Sequence, residues 1–229
     1  MKTALTLALL TSAAMAAAQI DRDLEPFTAL AVNAGINATV VESDGYRLEV
    51  TGDRAALDAL EIENRGGSLG LGFDDGAAGR LSAEQRSSVR ATVHTPRLES
   101  AVVNGGGVLE SEATWRGEGF RAVANGGAEL RLAVEVSGKV SVVANGGAGV
   151  RLSGSADEFA LNVNGGAEVD ASGMAAESVK VMANGGSRAE VQANATLSGM
   201  ANGQSRVTYR GRAPRADVRT NGGSSVARG

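Results

Sequence analysis

Glu168 and Asp170 stand two residues apart, Glu190 follows Asp170 by twenty, and Glu129, Arg131, Arg151, Arg188 and Arg206 recur around them at similar intervals. These are the side chains of this chain best suited to chemistry. Two neighbouring carboxylates can protonate a glycosidic oxygen and activate water or attack the sugar themselves. β-Helical polysaccharide lyases and pectin-degrading enzymes carry such groups on one exposed sheet, so a carbohydrate-active enzyme is the alternative to weigh. The same mixed charges can bind a ligand without cleaving it. The plain reading is a solubilising face whose cross-strand ion pairs contribute ~0.2–1 kcal/mol each. Sugar-processing strips also usually display aromatic platforms, and this one offers only Tyr209. The eight residues are therefore a candidate ligand-binding face, and none is assigned a catalytic role.

Other chemistries find less material. His94 is the only histidine, set on a strand-like segment before Thr95-Pro96. A Ser-His-Asp site would need a nucleophile and a carboxylate beside it, and a histidine-based metal site needs more than one imidazole. The absence of cysteine removes disulfides, thiolate metal sites and cysteine nucleophiles. Gly165-Gly166-Ala167-Glu168-Val169-Asp170 is the nearest segment to a calcium-binding β-roll nonapeptide, but it has Glu where Gly is required and the period is wrong. Asp74-Asp75 in a Gly-rich loop is a slightly better calcium candidate, and a solvated loop is the simpler reading. The glycines open onto strands, not onto a helix N-terminus, so no phosphate loop is present. No metal or cofactor is expected.

The elements that must position the charged residues are repeats. Asn-Gly-Gly occurs at Asn104, Asn125, Asn145, Asn164, Asn184 and Asn221, and Asn202-Gly203-Gln204 fills the gap. Successive asparagines lie 21, 20, 19, 20, 18 and 19 residues apart, the mark of one unit copied and stacked. Five residues after each asparagine come Leu109, Leu130, Val150, Val169, Ala189, Val207 and Val226. One position earlier the column reads Val108, Glu129, Gly149, Glu168, Arg188, Arg206 and Ser225. Apolar sites thus alternate with polar ones, the period of strands with one buried face. The sixth column, Glu110, Arg131, Arg151, Asp170, Glu190 and Thr208, falls on the outer face with the fourth.

Two architectures fit strand–corner–strand every twenty residues. In an antiparallel meander each Asn-Gly tip is an independent tight turn and its neighbours vary freely. In a coil, position n of one rung sits on position n of the next at about 4.8 Å, and side-chain amides can bond along the axis. The third column (Gly107, Ala128, Ala148, Ala167, Ser187, Ser205, Ser224) matches small on small, which favours the coil. The plain account of the motif is a corner with positive φ. A membrane barrel would need aromatic girdles, and aromatics make up only 3% of the chain. The expectation is an all-β, parallel β-helix-like solenoid of about 20 residues per repeat, with a narrow Ala/Val core.

Residues 1–18 read as a secretory signal, with Lys2, the apolar run Leu5 to Leu10 and the small-residue site Ala16-Ala17-Ala18 before Gln19. No other stretch is long and apolar enough to span a bilayer. Residues 19–229 keep 21 Lys plus Arg against 26 Asp plus Glu, a net charge of about −5 with the signs interleaved. Nothing resembles a nucleic-acid footprint. The expected organisation is one domain over 19–229. Residues 27–100 supply irregular first coils and a cap, and residues 101–229 the regular Asn-Gly-Gly repeats. Asp53 to Leu60 has the form of a short helix starting near Asp53.

Three ordered segments resemble a known family. Gly35-Ile36-Asn37 matches the motif that names the GIN domain, a bacterial domain described as a putative autotransporter adhesin head. Val93-His94-Thr95-Pro96-Arg97-Leu98 is similar to the family's valine-rich strand followed by Pro-x-Leu. Tyr209-Arg210-Gly211-x-Ala213-Pro214 is similar to its Tyr-x-Gly-x-Pro segment with one extra residue. At the corners this chain carries Asn-Gly-Gly where family members commonly carry Ser-Gly-Ser. The resemblance spans about residues 25–229. It implies a right-handed parallel β-helix-like fold in a bacterial envelope protein, and carries over no catalytic residues. The resulting expectation is an exported, non-enzymatic binding, adhesion or scaffold module of the periplasm or cell surface, its partner an envelope glycan or a surface protein.

Overall fold

The computed structural model describes residues 18–74, 76, 79–213 and 216–229. The expected secretory signal lies outside them but for Ala18, as do Asp75 of the calcium candidate and Pro214 of the last family segment.

Parallel pairing, not hairpins, organises the repeats. The strands β9 (Val108–Gly126), β10 (Glu129–Gly146), β11 (Gly149–Asn164), β12 (Glu168–Asn184) and β13 (Arg188–Asn202) are each nearly a whole coil. They pair in sequence order with the corner asparagines in register: Asn125 on Asn145, Asn145 on Asn164, Asn164 on Asn184 and Asn184 on Asn202. The chain is an all-β solenoid of about six turns. Repeat length varies while the corner and the apolar columns stay aligned, because the register slips elsewhere. Shifts fall between Glu135 and Lys139, Arg151 and Ser153, and Ala171 and Ala175. Alternation sets inside and outside: Leu109, Leu130, Val150, Val169, Ala189 and Val207 are all buried, and Glu129, Glu168, Arg188 and Arg206 all exposed.

At the corners the asparagine side chains form a continuous ladder. Each Nδ2 donates to the Oδ1 one rung below, from Asn221 through Asn202, Asn184, Asn164, Asn145 and Asn125 to Asn104, at 2.7–3.1 Å. Asn104 donates in turn to Asn33, whose own Nδ2 ends the ladder on the Leu71 carbonyl. The backbone bonds run the opposite way. Gly105, Gly165, Gly185 and Gly203 donate their N–H to the carbonyls of Asn125, Asn184, Asn202 and Asn221 on the next rung, at 3.1–3.3 Å. Asn33 is thus an eighth member, with Ala34 (φ 58°) and Gly35 (φ 90°) taking the left-handed corner. The Gly-Ile-Asn motif is the exit from that corner. Gly35 turns, Ile36 enters the core, and Asn37 Nδ2 donates to the Ser87 carbonyl at 2.8 Å.

Stacking order and chain order differ at the head of the solenoid. The Asn33 corner joins β2 (Ala29–Val32) to β3 (Asn37–Glu42). On one side this rung carries β8 (Ser100–Asn104) and the start of β9. On its other side lie β6 (Ser68–Phe73) and β7 (Arg90–Thr95), also parallel. Strands β6 and β7 therefore lie beneath the first rung before the chain climbs away. Beyond them the pairing turns antiparallel. The strand β4 (Arg47–Gly52) pairs with β7, β1 (Ala18–Asp23) with β4, and β5 (Leu60–Arg65) with β6. Helix α1 (Arg54–Asp58) is capped by Asp53, as expected. Helix α2 (Ala83–Ser88) closes the gap between β6 and β7 with a reciprocal Ser82/Gln85 capping box. At the opposite end, among the described residues, β15 (Ala216–Asn221) pairs only with β13, and β16 (Ser225–Arg228) only with β14 (Arg206–Arg210).

Some glycines are required by how closely rungs approach. At Gly199, with φ of 145°, a Cβ would sit 1.8 Å from the Val181 carbonyl oxygen on the rung below. Only a residue without a side chain fits there. No described helix is long and apolar enough to cross a membrane.

Candidate functional site

The strand alternation that buries the fifth column turns the fourth and sixth outward, so the eight charged residues do lie along one flank. Their charges are largely spent on one another. Arg131 contacts Glu129 on its own rung and lies 3.6 Å from Glu110 one rung toward the head. Arg151 Nε lies 3.6 Å from Asp170 Oδ2, and Arg188 Nη1 2.6 Å from Glu168 Oε1, both across rungs. Glu190 and Arg206 have no ion pair among the described residues. The anticipated carboxylate pair is therefore divided, Glu168 held by Arg188 and Asp170 by Arg151.

Asp170 is also held from its own strand. Ser172 donates to Oδ1 from its hydroxyl at 2.7 Å and from its backbone N–H at 3.1 Å. These bonds, Ser172 first and Arg151 after it, outweigh desolvation and lower the Asp170 pKa below the ordinary carboxylate value. The sign matters twice. A depressed pKa stabilises the fold above the ordinary carboxylate range, and that contribution fades as pH falls through the lowered value. It is also the wrong direction for protonating a leaving group, which needs a carboxyl kept neutral near pH 7.

Two hollows open along this flank. The first, about 240 Å³, is lined by Glu129, Arg131, Arg151, Glu168 and Asp170 around Gly149. It exists because the fourth column loses its side chain at Gly149. A Cβ there would meet nothing closer than Glu129 Cγ at 3.9 Å. The second, about 650 Å³, lies between Thr39–Glu42 of β3 and Glu110–Ala113 of β9. It forms because β9 leaves register. Glu110 faces Arg131, but Thr114 faces Ala133, so β9 bulges outward across Ser111–Ala113. Ser111 Oγ holds the bulge by donating to the Val40 carbonyl at 2.6 Å. Arg131 lines both hollows. Sequence reasoning missed this larger hollow. Its signal was the longest repeat, the 21 residues from Asn104 to Asn125.

His94 sits on β7 opposite Arg47, its Nε2 3.7 Å from Glu49 Oε1 and buried without a hydrogen-bond partner. It lies on the cap, apart from the strip. Among the described residues no group of three or more His, Asp or Glu is placed to hold a metal ion.

The sequence matches the model of the family described as "Putative auto-transporter adhesin, head GIN domain" over residues 26–213. Among solved structures, a putative adhesin from Bacteroides fragilis is similar with a TM-score of 0.79 at 15% identity, over 92% of this chain and 96% of that one. A putative adhesin from Parabacteroides merdae aligns with a TM-score of 0.72 at 16% identity, over 93% and 95%. A putative lipid binding protein from Parabacteroides distasonis aligns with a TM-score of 0.64 at 14% identity, over 93% and 96%. At such identities the likeness is one of fold. No curated protein matches.

Proposed function

Since this chain belongs to the family of putative auto-transporter adhesin head GIN domains, we propose that it is an exported, non-enzymatic module that binds a ligand along its charged flank. The observation that carries this reading is the hollow around Gly149, which crosses rungs and is lined by paired charges. Preorganised donors and acceptors of both signs suit a hydroxyl-rich partner, an envelope glycan, or a polar patch on a surface protein. The ion pairs and the lowered pKa of Asp170 support binding over cleavage. The secretory character of residues 1–18 and the adhesin-like family support an envelope location, periplasmic or at the surface.

A glycan array and a pull-down from envelope extract, run with wild type and Gly149→Gln, test the reading. The substitution fills the hollow while meeting no close neighbour, so stability should stay within about 0.5 kcal/mol. Affinity for the captured ligand should fall at least tenfold. A ligand bound equally by both proteins would remove this hollow from consideration, and released product would restore the carbohydrate-active alternative.

A further inference from the structure

Charge is unevenly spread along the solenoid axis, which the near-neutral average of the chain conceals. Residues 206–229 carry six arginines and one aspartate, whereas residues 19–112 carry eight arginines against sixteen carboxylates. The tail is thus +5 and the head −8. Arg206, Arg210, Arg212, Arg219 and Arg228 are exposed, and none has an ion-pair partner among the described residues. Arg131, Arg151 and Arg188, further toward the head, are all paired. Asn33 and Asn221 are seven rungs apart, roughly 34 Å at ~4.8 Å per rung. Screening acts over about 8 Å at physiological salt, so the acidic head does not cancel the tail's field.

The tail also holds the least covered strands among the described residues. Among the described residues no strand covers β15 or β16. Val226 belongs to a column buried on every earlier rung, yet it is only partly buried here, as are Val218 and Tyr209. We propose that this Arg-rich end docks end-on to an anionic lipid surface. Arginines gather headgroup phosphates, and the half-covered valines and Tyr209 meet the adjoining interfacial layer. An acidic polysaccharide would use the charges and leave the valines wet. A second copy would meet these charges with its head carboxylates, of which Asp21, Asp58, Glu63 and Glu99 are already paired with arginines, and self-assembly is an outcome of the test below. End-on docking would hold the long axis away from the surface and leave the flank free, so the proposal does not depend on the flank's ligand.

The test is co-sedimentation of the protein, purified after export, with vesicles of phosphatidylcholine alone and of phosphatidylcholine mixed with phosphatidylglycerol. Binding should require the anionic lipid and weaken as salt is raised. Each basic residue near such a surface is worth a factor of roughly five, so Arg210→Glu/Arg212→Glu/Arg219→Glu should weaken it at least ~100-fold. Arg54→Glu/Arg65→Glu/Arg80→Glu makes the same charge change at the head and should leave binding within about threefold. Equal binding to uncharged vesicles, or equal loss in both triple variants, would overturn the proposal. So would tail-dependent capture of a soluble acidic polysaccharide, or tail-dependent self-assembly, without vesicle binding. Failure here leaves the Gly149→Gln result untouched.

Discussion

Val169→Asp is expected to cost several kcal/mol and to split the solenoid in its middle. Val169 is 2% exposed and stacks between Val150 and Ala189, so a carboxylate there has apolar neighbours above and below. An unpaired buried charge is among the few single changes that reach this magnitude. Repeat stacks depend on nearest-neighbour interfaces, so the damage should spread to both sides of the substituted rung. Glu168→Ala, one residue earlier, removes only an exposed partner of Arg188 and should cost less than about 1 kcal/mol. Denaturant melts of both variants decide the matter. If the two are equally harmed, the inside–outside assignment fails and the charged flank is no longer a surface.

The second large effect belongs to the asparagine ladder and depends on position along it. Asn145→Ala strands two partners, the Asn164 amide that donates to Asn145 and the Asn125 oxygen that accepts from it. Each orphaned, half-buried group costs about 1–3 kcal/mol, so the variant should lose roughly 2–4 kcal/mol. Asn221→Ala disturbs one bond at an exposed end and should cost under about 1 kcal/mol. Equal losses at the two sites, or none at either, would show that the corner geometry, not the amide ladder, is what the asparagines provide.

The regular part of this architecture could be read from the chain because stacking forces like upon like. Columns of Leu, Val and Ala, small residues and asparagine survive even where repeat lengths differ. The head was harder for a physical reason. Asn33-Ala34-Gly35 performs the same corner with Ala at positive φ, so a search for Asn-Gly-Gly passes over the ladder's first member. Strands β6 and β7 are inserted beneath the first rung, and only long-range pairing reveals that order. Helix α2 went unread because Leu81 to Arg90 is polar without periodicity; the capping-box spacing of Ser82 and Gln85 was the signal that marks it. For the flank, alternation placed all eight residues correctly on one face. It could not show which carboxylate pairs with which arginine, nor that a missing side chain at Gly149 and a bulge at Ser111–Ala113 would hollow the surface. Those depend on the slip of one rung against the next.

The ladder also bears on how this molecule ages. Asn-Gly is the dipeptide most prone to spontaneous deamidation, because the unhindered glycine nitrogen can attack the asparagine Cγ. Attack expels ammonia and closes a succinimide, which water opens to aspartate or isoaspartate. Seven such dipeptides in one chain would be a liability in any long-lived protein. Within the stack, however, the attacking nitrogens of Gly105, Gly165, Gly185 and Gly203 are engaged in donating to the next rung's carbonyl, and the leaving amides of Asn104, Asn164, Asn184 and Asn202 are held by the rung below. Gly222 lies on the last described rung, its N–H has no acceptor among the described residues, and Asn221 is exposed. Peptide mapping after prolonged incubation at mildly alkaline pH should therefore find isoaspartate first at Asn221, with the six interior sites reacting only once the coil is unfolded. Uniform conversion at all seven would mean that the rungs open far more often than their register implies. The last corner would otherwise serve as the protein's clock, each conversion adding a negative charge to its most basic end.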